Sequence, residues 1–118
     1  MPRYLTMVRV NENEMPAEGP SPELMERMGK LIEEMTKAGV LLDTNGLTPT
    51  SQGTRVTWSG GKLTVTDGPF TESKEVVGGY AILQAKDKAE VLEWTKRFLQ
   101  VHEDHWNVTS EIREIAEG

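Results

Sequence analysis

The side chains best suited to chemistry are concentrated in one short stretch in the middle of the chain, residues 66–80. A carboxylate can act as a general base or accept hydrogen bonds, and a lysine can pair with an anionic group. Asp67 follows an alternating run typical of a strand, so we predict that it is the polar anchor or catalytic base of a ligand site. Four further residues are predicted to bind the ligand, the aromatic pair as an apolar wall and the charged pair as polar contacts: Phe70, Glu72, Lys74 and Tyr80.

Turn-forming residues in the same stretch would hold these side chains in place. Gly68 permits a positive φ angle, and Pro69 fixes φ and removes a backbone donor, so the strand cannot continue past them. The Gly78-Gly79 pair lets two backbones, or a backbone and a ligand, approach closely. An aspartate before a glycine can also bond its own backbone and set the turn. Asp67 can thus be assigned either a structural or a chemical role, and both stay open. The alternative to ligand binding for the neighbouring charged residues is a solvated position in a loop.

Residues 67–75, Asp-Gly-Pro-Phe-Thr-Glu-Ser-Lys-Glu, resemble the signature nonapeptide of the DGPF (DGPFAETKE) group within the YCII-related family. Thr71 replaces the usual alanine and Ser73 the usual threonine. The Gly-Gly-Tyr sequence at 78–80 and the stretch 38–42 also resemble that family. The resemblance implies a dimeric α/β-barrel assembly with clefts between or beside the sheets.

The same resemblance bears on catalysis. In YCII-related enzymes it implies a histidine early in the first helix, paired with an aspartate at a strand end. Asp67 has the position of that aspartate, but the helix turn holds residues 24–28, which contain no histidine, and the first histidine is His102. The resemblance also associates relatives with sigma-factor-type transcription proteins. Our alternative hypothesis is therefore a non-catalytic regulatory or interaction module, and whether the chain is an enzyme stays open.

Composition limits the class of protein. The 118 residues predict one domain over 1–118, and the absence of cysteine excludes disulfides and thiolate chemistry. A net charge of −6 argues against direct contact with nucleic acid or an anionic membrane. No apolar run approaches the ~20 residues of a membrane span. Cytoplasmic localisation is the default expectation.

Hydrophobic periodicity predicts the elements that position the central stretch. A helix begins at Ser21-Pro22 and ends at Gly39, and a second helix begins at Asp87 with an N-terminal capping box. Strands are predicted from near-continuous or alternating apolar residues at 3–10, from 40 to 46, at 55–58, 63–66, 79–85 and 108–115. The pair 55–58 and 63–66 forms a hairpin about residues 59–62, with four apolar side chains on one face: Val56, Trp58, Leu63 and Val65.

This order of elements predicts an α+β fold, a ferredoxin-like split β-α-β with an added β-hairpin. Strand 3–10 should lie in the middle of the sheet. Each helix has one apolar stripe, so both should cover the same sheet face. The other face then requires a cover, and a second copy of the chain would supply it, which predicts a homodimer.

The remaining candidate sites are weaker. His102 and His105 are three residues apart and could share a helix face, but a cationic pair near a helix C-terminus is the simpler interpretation. We predict no metal and no cofactor, since the sequence has no nucleophile elbow, phosphate-binding glycine loop or dinucleotide fingerprint. The three tryptophans are interpreted as core or interface residues: Trp58, Trp94 and Trp106.

Overall fold

The computed structural model describes residues 1–117 and contains two helices and six strands. In chain order they are β1 (Arg3–Val10), α1 (Pro22–Lys37), β2 (Leu41–Gly46), β3 (Thr54–Ser59), β4 (Lys62–Asp67), β5 (Val76–Gln84), α2 (Lys88–Gln100) and β6 (Thr109–Glu114). Two short 3₁₀ turns, Glu12–Glu14 and Thr50–Gln52, lie in the loops after β1 and β2. The predicted α+β class is confirmed.

Four strands form an antiparallel sheet in the order β2-β5-β1-β6. This is the order of a ferredoxin-like split β-α-β, with β3 and β4 inserted between its second and third strands. Strand β1 lies between β5 and β6, as its apolar sequence predicted. The chain ends meet beside it, where the Ile115 backbone N–H donates to the Arg3 carbonyl at 2.8 Å.

Strand β5 begins three residues earlier than predicted, because the glycine pair lies inside the strand and not before it. The β1–β5 register shifts between Val8 and Arg9, opposite the glycine pair, so one extra residue of β5 is accommodated as a bulge. A Cβ on Gly79 would lie 3.2 Å from the Asn45 carbonyl oxygen of β2. The glycine therefore allows the close backbone approach that the sequence suggested.

Both helices pack on one face of the sheet, as predicted. The Ser21 hydroxyl accepts from the Leu24 N–H at 3.0 Å and the Asp87 carboxylate accepts from the Glu90 N–H at 3.0 Å, so both predicted N-caps are present. The core between helices and sheet contains Tyr4, Leu31, Met35, Val40, Leu83, Ala85 and Val91. Burial, reinforced by the negative charge of Glu114, raises the pKa of the Tyr4 phenol. Among residues 1–117, no helix has the length and apolarity needed to cross a membrane.

Strands β3 and β4 form a separate hairpin, which we call the arm (residues 54–67). They pair with each other and are not part of the four-stranded sheet. Gly60 and Gly61 have φ angles of 59° and 77°, which give the tight turn that joins the strands. Val56 pairs with Val65 and Trp58 with Leu63, so the predicted apolar face exists. Its four side chains are 65% to 69% exposed, and we call them the apolar strip.

Within residues 1–117, no helix covers the second face of the main sheet. Alternation places Leu5, Met7 and Ile82 there, each half-buried, beside charged residues of the edge strands such as Asp43, Glu111 and Arg113. We call this surface the open face. The chain measures 46 × 43 × 18 Å with a radius of gyration of 16.2 Å, compared with about 13.5 Å for a compact domain of this length. It exposes 8109 Å², about 1,700 Å² more than a compact monomer of its mass. The molecule is thin and extended, and both the open face and the arm contribute to its large exposed area because neither has a cover in the single chain.

Candidate functional site

The Asp-Gly pair of the central stretch holds the base of the arm. Asp67 is exposed, and its carboxylate accepts a hydrogen bond from the Thr54 hydroxyl at 3.0 Å, across the first pair of the hairpin. The Gly68 N–H donates to the Gly53 carbonyl at 2.9 Å. A Cβ on Gly68 would lie 1.7 Å from the Thr50 carbonyl oxygen, so only glycine fits against the 3₁₀ turn there. In the single chain the Asp67 carboxylate therefore contributes to the structure of this corner.

Phe70 and Glu72 belong to the same corner through one arginine of the arm. The Arg55 guanidinium lies over the Phe70 ring, 3.8 Å from its centroid, forms an ion pair with Glu72 and donates to the Ser73 hydroxyl at 3.1 Å. The backbone N–H of Glu72 and the hydrogen bond from Arg55 lower the pKa of the Glu72 carboxyl. The arginine thus joins β3 to the loop that follows β4.

A carboxylate from a distant loop completes the corner. Glu12 accepts from the Thr50 backbone N–H at 2.9 Å and from its hydroxyl at 2.5 Å. Hydrogen bonds from the hydroxyl and then the backbone of Thr50 lower the pKa of Glu12. Sequence reasoning did not find Glu12, because its partner lies 38 residues away and no local pattern connects them.

Lys74 lies elsewhere, beside an open depression of about 350 Å³ lined mainly by polar residues. Glu75 borders the same depression and forms an ion pair with Arg9 at 3.8 Å, and Arg9 also pairs with Glu111 at 3.2 Å. These charges lie at the surface, where solvent weakens each pair. The depression has no apolar wall that could hold the body of a ligand.

A better-formed cavity of about 310 Å³ lies between the helices and the sheet. Met28, Ile32, Trp94 and Phe98 line it from the helices. The sheet contributes small residues at this end, among them Gly46, Gly78, Gly79, Ala81 and Ser110. Because the sheet presents so little side-chain volume at this end, the side chains of the helices do not fill the gap between the layers and a space remains.

A polar cluster lies on β2 and β5 on the open face, across the sheet from this cavity. Asn45 is exposed and donates from its side-chain amide to the Tyr80 hydroxyl at 3.1 Å. The Tyr80 hydroxyl donates to the Asp43 carboxylate at 2.9 Å, and Asn45 donates to the other Asp43 oxygen at 3.3 Å. We call these three residues the edge cluster. Asp43 and Asn45 were missed, although their alternate positions in the predicted strand from 40 to 46 place them on one face.

The structure does not bring the five sequence-predicted site residues together in the single chain. Tyr80 belongs to the edge cluster; Asp67, Phe70 and Glu72 lie at the base of the arm; Lys74 lies at the polar depression. Their predicted roles in ligand binding and catalysis stay predictions.

The two histidines follow α2, which ends at Gln100, two residues before the first of them. The His102 ring stacks edge-on with Phe98 and Trp106 at 5.4 and 5.7 Å, and its Nδ1 lies 3.1 Å from the Leu99 carbonyl oxygen. His105 is exposed. Over residues 1–117, no group of three or more side chains of metal-binding type converges on one point.

A family model described as the YCII-related domain matches residues 3–115 of the chain. No curated protein matches. The family match includes the central stretch, the glycine pair, both helices and all six strands. Because it extends over almost all of the 118 residues, the chain belongs to the YCII-related domain family.

Proposed function

We propose that this protein is a homodimer that binds a small, mostly apolar molecule in the cavity between helices and sheet, with one hydrogen-bond donor of the ligand accepted by a threonine hydroxyl of the cavity wall. The observation that carries the proposal is the cavity itself, of about 310 Å³, with an apolar wall that contains a few hydroxyl groups. Ligand pockets have this volume and this combination of an apolar wall and few polar groups.

The polar side chains that line the cavity favour an apolar ligand body. The hydroxyls of Thr6, Thr44 and Thr95 donate to backbone carbonyls at 3.3, 3.0 and 2.8 Å, so their protons are already used. Within the described residues, no Asp, Glu, Lys, Arg or His lines the cavity. An ionic group inside would lose its hydration without a partner, which costs several kcal/mol.

The threonine hydroxyls supply the polar contact. Because each donates its proton to a backbone carbonyl, its oxygen keeps a lone pair that can accept from a donor on the ligand. The predicted role of Asp67 as a base would require a second chain to bring the base of its arm to the cavity.

The open face supports the homodimer. It presents Leu5, Met7 and Ile82 to solvent on a body only 18 Å thick. A second copy related by a two-fold axis would cover this surface on both copies at once.

NMR with methyl-¹³C-methionine tests the ligand proposal, using toluene and p-cresol as probes. We expect both compounds to shift the signals of Met28 and Met35, and p-cresol to bind more tightly because its hydroxyl can donate to a threonine of the cavity wall. Thr44→Val should reduce the advantage of p-cresol over toluene.

A cavity-filling variant provides the control. Ser110→Leu adds an apolar side chain on the cavity wall and should abolish binding of both compounds. Ser59→Leu makes the same change in the exposed arm and should bind as the wild type does. If neither compound shifts the methionine signals, or if Ser110→Leu binds as well as the wild type, the ligand proposal is wrong.

The alternative of a non-catalytic interaction module is favoured by the apolar strip, since exposed patches of this kind mark interaction surfaces. A chain that forms dimers but binds neither probe would support it over the ligand proposal.

A further inference from the structure

We infer that the arm holds a second copy of this chain, with its apolar strip lying on the open face of that copy. The inference rests on the proposed homodimer and not on the proposed ligand. It assigns a docking role to Val56, Trp58, Leu63 and Val65, and a structural role to the signature stretch at the base of the arm.

The arm needs a cover that the chain does not provide. An isolated two-stranded hairpin is at best marginally stable in water, and this one pairs only with itself. Its two faces differ: one has the four apolar side chains of the strip, and the other has polar residues such as Thr57 and Thr64. A hairpin that is apolar on one side is suited to lie flat against another surface.

The exposed area indicates how large the missing contact is. The chain exposes about 1,700 Å² more than a compact monomer of 13.2 kDa, whereas a stable interface buries about 800 Å² on each partner. Docking of the apolar strip on the open face of a second copy reduces the exposure of both surfaces that lack a cover.

A second copy fits because this chain contains both the strip and a surface that matches it. Under two-fold symmetry, each arm lies on the sheet of the other copy, so one arrangement covers both strips and the apolar middle of both open faces. The matching residues in that middle are Leu5, Met7, Val77 and Ile82 of β1 and β5, all partly exposed. Six-residue strands extend about 20 Å, which is enough to cross a four-stranded sheet about 14 Å wide.

The corner at the base fixes the direction of the arm. Asp67 bonds to Thr54, Gly68 fits against Thr50, and Arg55 lies over Phe70. Glu12 ties the same turn to the loop after β1. An arm held in one orientation loses less conformational freedom when it docks, which favours association.

Sedimentation equilibrium on the full chain tests the inference. The double variant Trp58→Ser/Leu63→Ser removes the outer pair of the strip on both copies, and we expect the dimer dissociation constant to rise by about 100-fold or more. The control is Leu92→Ser, which removes an exposed leucine from α2 and should leave the constant unchanged within a few fold. Far-ultraviolet circular dichroism verifies that each variant is folded.

Cross-linking provides a test that does not depend on a destabilising variant. Because the natural chain has no cysteine, a chain with Val56→Cys can be mixed with a chain with Ile82→Cys and oxidised. We expect a disulfide-linked heterodimer of the two chains, and little product when Val56→Cys is mixed with Leu92→Cys.

The outcomes separate the two proposals. If the wild type is a dimer that the double variant leaves intact, or if the Val56→Cys and Ile82→Cys chains do not cross-link, the arm inference is wrong and the homodimer stands. If the wild type is a monomer at 100 μM, both the arm inference and the homodimer are wrong, and the cavity proposal is unaffected.

Discussion

The body of the protein and its arm follow the same sequence pattern and end in opposite environments. Leu83, on the helix-covered face of β5, is 2% exposed, whereas Leu63, on the apolar face of β4, is 69% exposed. Leu83 shares its face of β5 with Ala81, and Leu63 shares its face of β4 with Val65. The helices cover the first face, and no element of the described chain covers the second. A periodic pattern therefore specifies that a face is apolar, but not what will cover it.

The largest expected effect is a loss of stability in the body of the protein. Leu83→Ala should lower the free energy of unfolding by about 2–5 kcal/mol, because it leaves a cavity in a packed core. Urea denaturation followed by circular dichroism measures this loss. Its size should not depend on protein concentration.

The matched change in the arm is Leu63→Ala. Its cost should be small at concentrations where the wild type is monomeric and should grow as the concentration rises into the range where dimers form. Equal, concentration-independent costs for the two leucines would mean that the arm is packed within its own chain.

The corner between body and arm should show the next largest effect. Gly68→Ala places a Cβ 1.7 Å from the Thr50 carbonyl oxygen, so the backbone must move, at a cost of about 1–3 kcal/mol. Gly46→Ala is the control, since nothing lies within 4 Å of the added Cβ. The same denaturation experiment compares them, and equal stability of the two variants would contradict the tight fit at the corner.

A smaller effect with the opposite sign is expected in α1. Gly29 lies in the helix interior with open space around its missing Cβ, so Gly29→Ala should stabilise the chain by about 0.5–1 kcal/mol. The increase comes from helix propensity and should be the same in a variant that lacks the apolar strip. A loss of stability in thermal denaturation would show that the glycine is required for packing.

The smallest expected effect is confined to acid pH. The Glu12 carboxyl has a lowered pKa in the folded chain, so it stabilises the fold above its unfolded value of about 4.3, and this contribution is lost as the pH falls through the folded pKa. Between neutral pH and pH 3, wild-type stability should therefore fall more steeply than that of Glu12→Gln. Glu14→Gln, in the same 3₁₀ turn, should follow the wild type. Parallel curves for wild type and Glu12→Gln would contradict the role of Glu12 at the corner.

Most of the fold was predictable because its determinants are local. The spacing of Leu24, Leu31 and Met35, together with the Ser21 cap, specified α1, and alternation specified the arm. The start of β5 was placed too late because the glycine pair was interpreted as a boundary, whereas the register accommodates it as a bulge.

The site was less predictable because it depends on contacts between distant segments. The cavity exists because small residues of the sheet face Met28 and Phe98 of two different helices, which no local window contains. The nonapeptide indicated the family, and the match over residues 3–115 confirms it. In the single chain, four of its side chains make contacts within the corner, so a stretch rich in reactive groups can have a structural role.

The central position of β1 has a consequence for synthesis on the ribosome. Both partners of this first strand, β5 and β6, come from the last 43 residues of the chain, 76–118. While the chain emerges, both edges of β1 stay unpaired until β5 and β6 have been synthesised. An apolar strand in that state is prone to aggregate. Nascent chains of this protein should therefore be clients of chaperones until β5 and β6 have left the exit tunnel.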